Sequence, residues 1–134
     1  LKIDWSNPRS KRKITRHIRI VDVTQGDSRR VPKTANVERN ILKVSKYLDS
    51  LIDAWGPLEV TSFYRPADVN ASIGGARNSQ HIQGLAADVV LQGPKSRRER
   101  FQDWLEKHHG GGVGSTRDAS YTHIDLGPKR RWTY

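Results

Sequence analysis

Cysteine is missing from all 134 residues. That excludes disulfides and excludes thiolate ligands for any bound metal. An oxidising exterior is compatible with the absence but does not follow from it. No apolar run is long enough to span a membrane. No secretory signal is visible, and a start at Leu1 without an initiator methionine reads as a mature form or a fragment. Internal repeats and linkers are also missing. Hydrophobic residues make up only 34% of the chain, so the core is modest and a bound metal would add to its stability. The length fits one domain.

Acidic residues are the minority, 14 against 24 lysines and arginines, for a net charge of +10. Residues 1–33 hold ten basic and three acidic side chains, so most of the excess lies there. Arg9, Lys11, Arg12, Lys13, Arg16 and Arg19 form the densest run. Such a segment suits an anionic wall polymer (a teichoic acid or a lipopolysaccharide) or nucleic acid, or else it is a solvated face. No nucleic-acid motif accompanies it, so nucleic acid is not the expected partner.

What remains reads as one α+β domain. Asn36 is expected to cap a helix running to about Ala54, because Val37, Ile41, Val44, Leu48, Leu51, Ile52 and Trp55 recur at three- and four-residue steps. Gly56-Pro57 stops it. Leu58–Phe63 reads as a strand delivering Arg65, Pro66–Ser72 as a helical turn and Ile73–Asn78 as a loop. Ser96–His108 reads as a second helix, with Phe101, Trp104 and Leu105 facing the core, ended by Gly110–Gly112. Ile18–Val23 is expected to form a short strand. The architecture expected is two main helices on a small antiparallel sheet.

Two further strands carry the chemistry. In Leu85–Val90, Asp88 is the one charged residue among small and apolar neighbours, and alternate residues share a face. A carboxylate there is costly to bury unless it is paired or bound to a metal. Tyr121–Leu126 puts Tyr121, His123 and Asp125 on one face. Antiparallel pairing would bring Asp88 to His123, while Gly84 lets the chain turn so that His81 completes the set. Two imidazoles and one carboxylate suit Zn²⁺ with a fourth position open for water. On spacing alone, hydrogen-bonded histidines and an arginine-paired acid remain alternatives.

Ser79-x-His81-x-x-Gly84-x-Ala86-x-Asp88, followed by His123, resembles the signature of the zinc D-alanyl-D-alanine carboxypeptidases and related phage endolysins. Ser62-Phe63-Tyr64-Arg65-Pro66, Gly111–Gly114 and His123–Pro128, ending in Arg131-Trp132, resemble further parts of that family. The likeness covers roughly residues 36–134, leaving 1–35 as a basic N-terminal segment of the same domain. The family shares its metal-site fold with lysostaphin-type endopeptidases and the hedgehog signalling domain.

The resemblance implies one Zn²⁺ held by His81, Asp88 and His123. It implies that Arg65 binds the substrate carbonyl and stabilises the oxyanion, and that Ser79 is a substrate or ligand-supporting hydrogen bonder. Ser79 as a simple turn residue and Arg65 in a structural ion pair are the alternatives. The family's base does not carry over, because Ser120 and Tyr121 stand where members place Glu or His. Asp118 is the leading candidate, Asp125 the second unless it orients a ligand, and His108 and His109 stay open. Tyr121 is expected to donate to the oxyanion.

The function expected is zinc-dependent hydrolysis of a peptidoglycan peptide bond at a D-amino acid, as a D,D-carboxypeptidase or as an endopeptidase. A monomer in the cell envelope or outside the cell is expected, or a phage lysin that waits in the host cytoplasm. The alternative is a non-catalytic zinc-binding recognition module of the hedgehog type.

Overall fold

The computed structural model describes residues 1–134. The long helix α2, Ala35–Trp55, buries Ile41, Val44, Leu48 and Leu51 along one stripe. Its cap is Thr34, whose hydroxyl accepts from the Val37 amide at 3.2 Å, not the expected Asn36. Gly56 ends it at φ 102°, a conformation that favours glycine. Helix α4, Lys95–His108, buries Phe101 and Leu105. Trp104 instead lies at the surface, 37% exposed, against His108 and Trp55. Residues 101 and 105 share a face, and 104 is rotated about 100° from 105.

Both helices pack on a five-stranded sheet. Its strands are β1 (Leu58–Ser62), β2 (Ala86–Leu91), β3 (Gly112–Ser115), β4 (Thr122–Asp125) and β5 (Arg130–Thr133), in the order β1-β2-β4-β3-β5. The sheet is mixed, because β5 runs parallel to β3 while the other pairs are antiparallel. The wholly antiparallel sheet expected from the sequence is thus corrected at one edge.

The N-terminal segment is part of the same core. Trp5, Ile18, Ile20 and Val23 are buried in it. Glu38 accepts from the amides of Lys2 and Ile3 and from Trp5 Nε1 at 2.9–3.2 Å. Asp49 takes Thr15 Oγ1 and the His17 amide. The expected strand at Ile18–Val23 is a one-turn helix, α1 (Ile20–Thr24). Asp22 reaches back to the Arg19 amide at 2.8 Å and starts the turn. Ile20, Val23 and Thr24 then fall on its buried side, a helical spacing.

Candidate metal centre and pocket

Strand register delivers two of the three candidate ligands. Asp88 on β2 faces His123 on β4 directly across the ladder. His81 stands in a short 3₁₀ turn, Gln80–Gln83, begun by Ser79, whose Oγ accepts from the His81 amide. Gly84 at φ 74° closes that turn and leads into β2. A Cβ on Gly84 would lie 2.9 Å from Ile41, so the turn also presses on α2.

The three donors converge. His81 Nε2 is 3.3 Å and His123 Nδ1 3.1 Å from Asp88 Oδ1, and all three ligand atoms lie within 4.8 Å of one another. Tetrahedral bonds of about 2.1 Å would place ligand atoms ~3.4 Å apart, so the spacing fits a single ion such as zinc. The other ring nitrogens are already committed. His81 Nδ1–H donates to the Phe63 carbonyl at 2.6 Å, and His123 Nε2–H to Asp125 at 2.7 Å. The nitrogen of each ring beside Asp88 is the one that would face a metal, and within the chain alone it bonds the Asp88 carboxylate instead.

Burial pushes the Asp88 carboxyl upward, but hydrogen bonds from His123 and His81 outweigh it and hold Asp88 well below the usual carboxylate range. For His123, burial pulls downward, and the bonds to Asp125 and Asp88 leave the ring raised.

Asp125 is itself wrapped. Its side chain is fully buried, accepts from the Gly112 and Gly127 amides, and pairs with Arg130 at 2.8 Å. Glycines on β3 make this possible. Gly112 lies between Asp125 and Arg130 in the ladder, and Gly114 lies between His123 and Trp132. A Cβ on Gly112 would come within 2.4 Å of the Asp125 carboxylate, and one on Gly114 within 2.6 Å of the Trp132 indole. Side chains from β5 therefore reach across a bare strand: Arg130 meets Asp125, and Trp132 stacks 5.1 Å from His123.

The cluster forms the floor of a pocket of about 710 Å³ lined by Arg65, Arg77, Ser79, Tyr121, Trp132 and Tyr134, among others. Arg65 follows Phe63 on the same stretch of chain, and its amide donates to the His81 carbonyl. The Nε of Arg65 is buried without a partner. Burial lowers the Arg65 pKa and nearby Asp88 opposes that. Tyr121 is raised by burial and by Asp88, which keeps its hydroxyl a donor.

Asp118 lies elsewhere. Its carboxylate is exposed, accepts from the Ser120 amide and does not line the pocket, so the base role expected for it has no geometric support. His109 is buried between Tyr47 and the Asp125 carbonyl, and His108 stacks on surface Trp104. The only pocket-lining carboxylates are Asp88 and Asp125, both engaged.

Reading single residues missed Arg130, Trp132 and the Phe63 carbonyl. Arg130 and Trp132 did leave a signal: residues two apart in a strand share a face.

Two histidines and an aspartate at the floor of an open pocket are the donor set of single-zinc hydrolases. The sequence model of peptidase M15 matches residues 14–125. This chain belongs to that peptidase family, which thus begins upstream of the residues 36–134 expected from resemblance. Among curated relatives, the probable peptidoglycan L,D-endopeptidase MepK of Haemophilus influenzae is 36% identical over 80 residues, 56% of this chain and 42% of that protein. The Escherichia coli K12 peptidoglycan L,D-endopeptidase MepK is 27% identical over 108 residues, 77% of this chain and 58% of that protein. The chain thus spans about half the length of the curated relatives it matches.

Proposed function

We propose that this chain hydrolyses a peptide bond of bacterial peptidoglycan as a zinc-dependent endopeptidase, at a bond joining an L- and a D-residue. The observation that carries the reading is the convergence of His81 Nε2, His123 Nδ1 and Asp88 beside an arginine with no partner. The names of the relatives favour endopeptidase over carboxypeptidase action.

Zinc held there supplies Lewis-acid polarisation and a water whose pKa falls to about 7. The chain's own residues do the rest. Arg65 presents a permanent charge and rigid donors to the carbonyl oxygen as it gains negative charge. Tyr121 adds a hydroxyl donor from the same wall. Asp125, held by Arg130, keeps the His123 ring in one orientation and tautomer. Ser79 positions His81 by fixing the first amide of its turn. The wall surrounds the enzyme in the envelope, where exposed Arg9, Lys11, Arg12 and Lys13 hold it to anionic polymers. Retention on such a polymer that does not weaken with added salt would count against that last role.

One observation favours a second reading, a zinc-binding recognition module without catalysis: no pocket carboxylate is free to act as base. Mass spectrometry of products released from purified peptidoglycan separates the two. The expected result is cleavage at an L,D bond by the zinc-loaded protein, abolished by a chelator and by His81→Ala. Stoichiometric zinc with no release from several wall chemistries would establish the recognition module instead.

A further inference from the structure

Charge in the pocket is lopsided. Arg65, Arg77 and Arg130 line it against Asp88 and Asp125. Arg130 is spent on Asp125, and Asp88 on the two histidines. A divalent cation at the cluster would bring more positive charge than Asp88 offsets. Arg65 and Arg77 then have no anion within the chain. The buried, unpartnered Nε of Arg65 matters here, because a buried N–H without an acceptor costs roughly 1–3 kcal/mol. Such groups in native proteins call for an explanation, and a ligand is one. Arg30, which pairs with Asp27 at 3.8 Å, adds its positive charge near Arg65.

Arg77 stands on a loop whose position is fixed from below. Asn70, buried in helix α3 (Ala67–Ser72), donates from Nδ2 to the Ala76 carbonyl at 2.8 Å and accepts at its own carbonyl from the Gly75 amide. The Ser79 amide closes onto the same Ala76 carbonyl at 3.0 Å. Gly75 is pressed so closely to Asn70 that a Cβ would lie 2.1 Å from its Oδ1. The Arg77 side chain therefore leaves a fixed base, exposed on the pocket wall, four residues before His81.

We infer that the pocket takes a peptide carrying a free carboxylate close to the scissile bond, and that Arg77 binds that carboxylate while Arg65 serves the carbonyl under attack. Guanidinium and carboxylate match as a two-pronged pair, which gives direction as well as strength. The inference deepens the endopeptidase reading and rests on it for cleavage, while the binding it describes needs no cleavage.

The test uses soluble muropeptides with free carboxylates and the same peptides with those carboxylates converted to methylamides. With the zinc-loaded native protein, kcat/KM should fall roughly 10- to 100-fold on the amidated set, the worth of one hydrogen bond to a charged group. Arg77→Gln should lose as much on the free acids and no longer distinguish the two sets, and Arg77→Lys should recover part of the preference. Because the Arg77 side chain is exposed and forms no ion pair within the chain, these variants should keep the native unfolding temperature. A second arm titrates tryptophan fluorescence with both peptide sets on chelator-treated proteins, where the same preference should appear in Kd. Equal cleavage of both sets by the native protein, or a preference retained in Arg77→Gln, overturns the subsite and leaves the hydrolase standing. Carboxylate-dependent binding without cleavage of either set overturns the hydrolase and leaves the subsite. Neither cleavage nor carboxylate-dependent binding overturns both.

Discussion

His123 has no free nitrogen. One side of its ring faces Asp88 and the other is bonded to Asp125, so the orientation of this candidate metal ligand depends on a residue outside the candidate set. Asp125→Asn should therefore weaken zinc binding roughly 10- to 100-fold, the usual cost of losing such support, as read by competition with a chromophoric chelator. Loss of less than twofold would show that the ring is held by packing alone. The same residues set a pH signature for the metal-free chain. His123 is raised above its ordinary 6.5, so its contribution is complete below that value and is lost as pH climbs through the raised one. Asp88 and Asp125 are depressed below 3.8, so theirs is complete above that value and is lost in acid. Burial lowers His109, whose contribution is complete above 6.5 and is lost as pH falls. Unfolding temperatures measured in chelator should therefore peak toward the upper end of the window between about pH 4 and 6.5. Zinc should flatten the alkaline side, because the ligand must shed its proton to bind. A metal-free optimum above pH 8 would contradict this balance.

At the scale of the elements, the alternation in Leu85–Val90 and Tyr121–Leu126 was enough to place β2 and β4 and the pairing of Asp88 with His123. Both strands are buried, and their periodicity reports that burial. β3 and β5 were not legible. Gly110–Gly112 reads as a helix stop, because glycine has no side chain with which to express a period. Arg130–Thr133 carries no local strand signal, and its parallel pairing depends on β3, a long-range partner. α1 reads as a strand because Ile18 and Ile20 alternate, whereas Ile20, Val23 and Thr24 keep a helical spacing that shows once Asp22 reaches back to Arg19. The pairing of Asp88 with His123 was thus readable from local pattern, and the choice of His81, Asp88 and His123 as candidate ligands from the resemblance. Arg130, Trp132 and the Phe63 carbonyl were not, because they come from β5 and from a backbone group. Gly114→Ala tests the bare strand. Overpacking against Trp132 should cost about 1–3 kcal/mol in urea unfolding and alter the near-ultraviolet circular dichroism of the indole. An unchanged spectrum with full stability would mean that Trp132 is not seated on Gly114.

At the scale of the molecule, the strongly basic first quarter of the chain is fastened by two acids of α2, Glu38 and Asp49. Burial pushes the Glu38 carboxyl upward, yet the donors from Lys2, Trp5 and Ile3 leave it lowered. Glu38→Ala strands those donors, one of them the buried Trp5 indole, and should cost about 2 kcal/mol in urea unfolding. Zinc affinity should stay unchanged, since the pocket lies elsewhere. A parallel fall in zinc affinity would show instead that the fastening of the N-terminus is coupled to the metal centre.

A strand stripped of side chains works as a window. Through β3, the chain's last few residues reach His123 and Asp125 at the candidate metal centre, although they lie beyond residue 125, where the match to the family ends. Drift in that tail would retune His123 and Asp125 while every ligand stayed the same. Among relatives, inheritance of the three ligands would then preserve the ability to hold a metal, and the tail would decide how tightly it is held and how it behaves in acid.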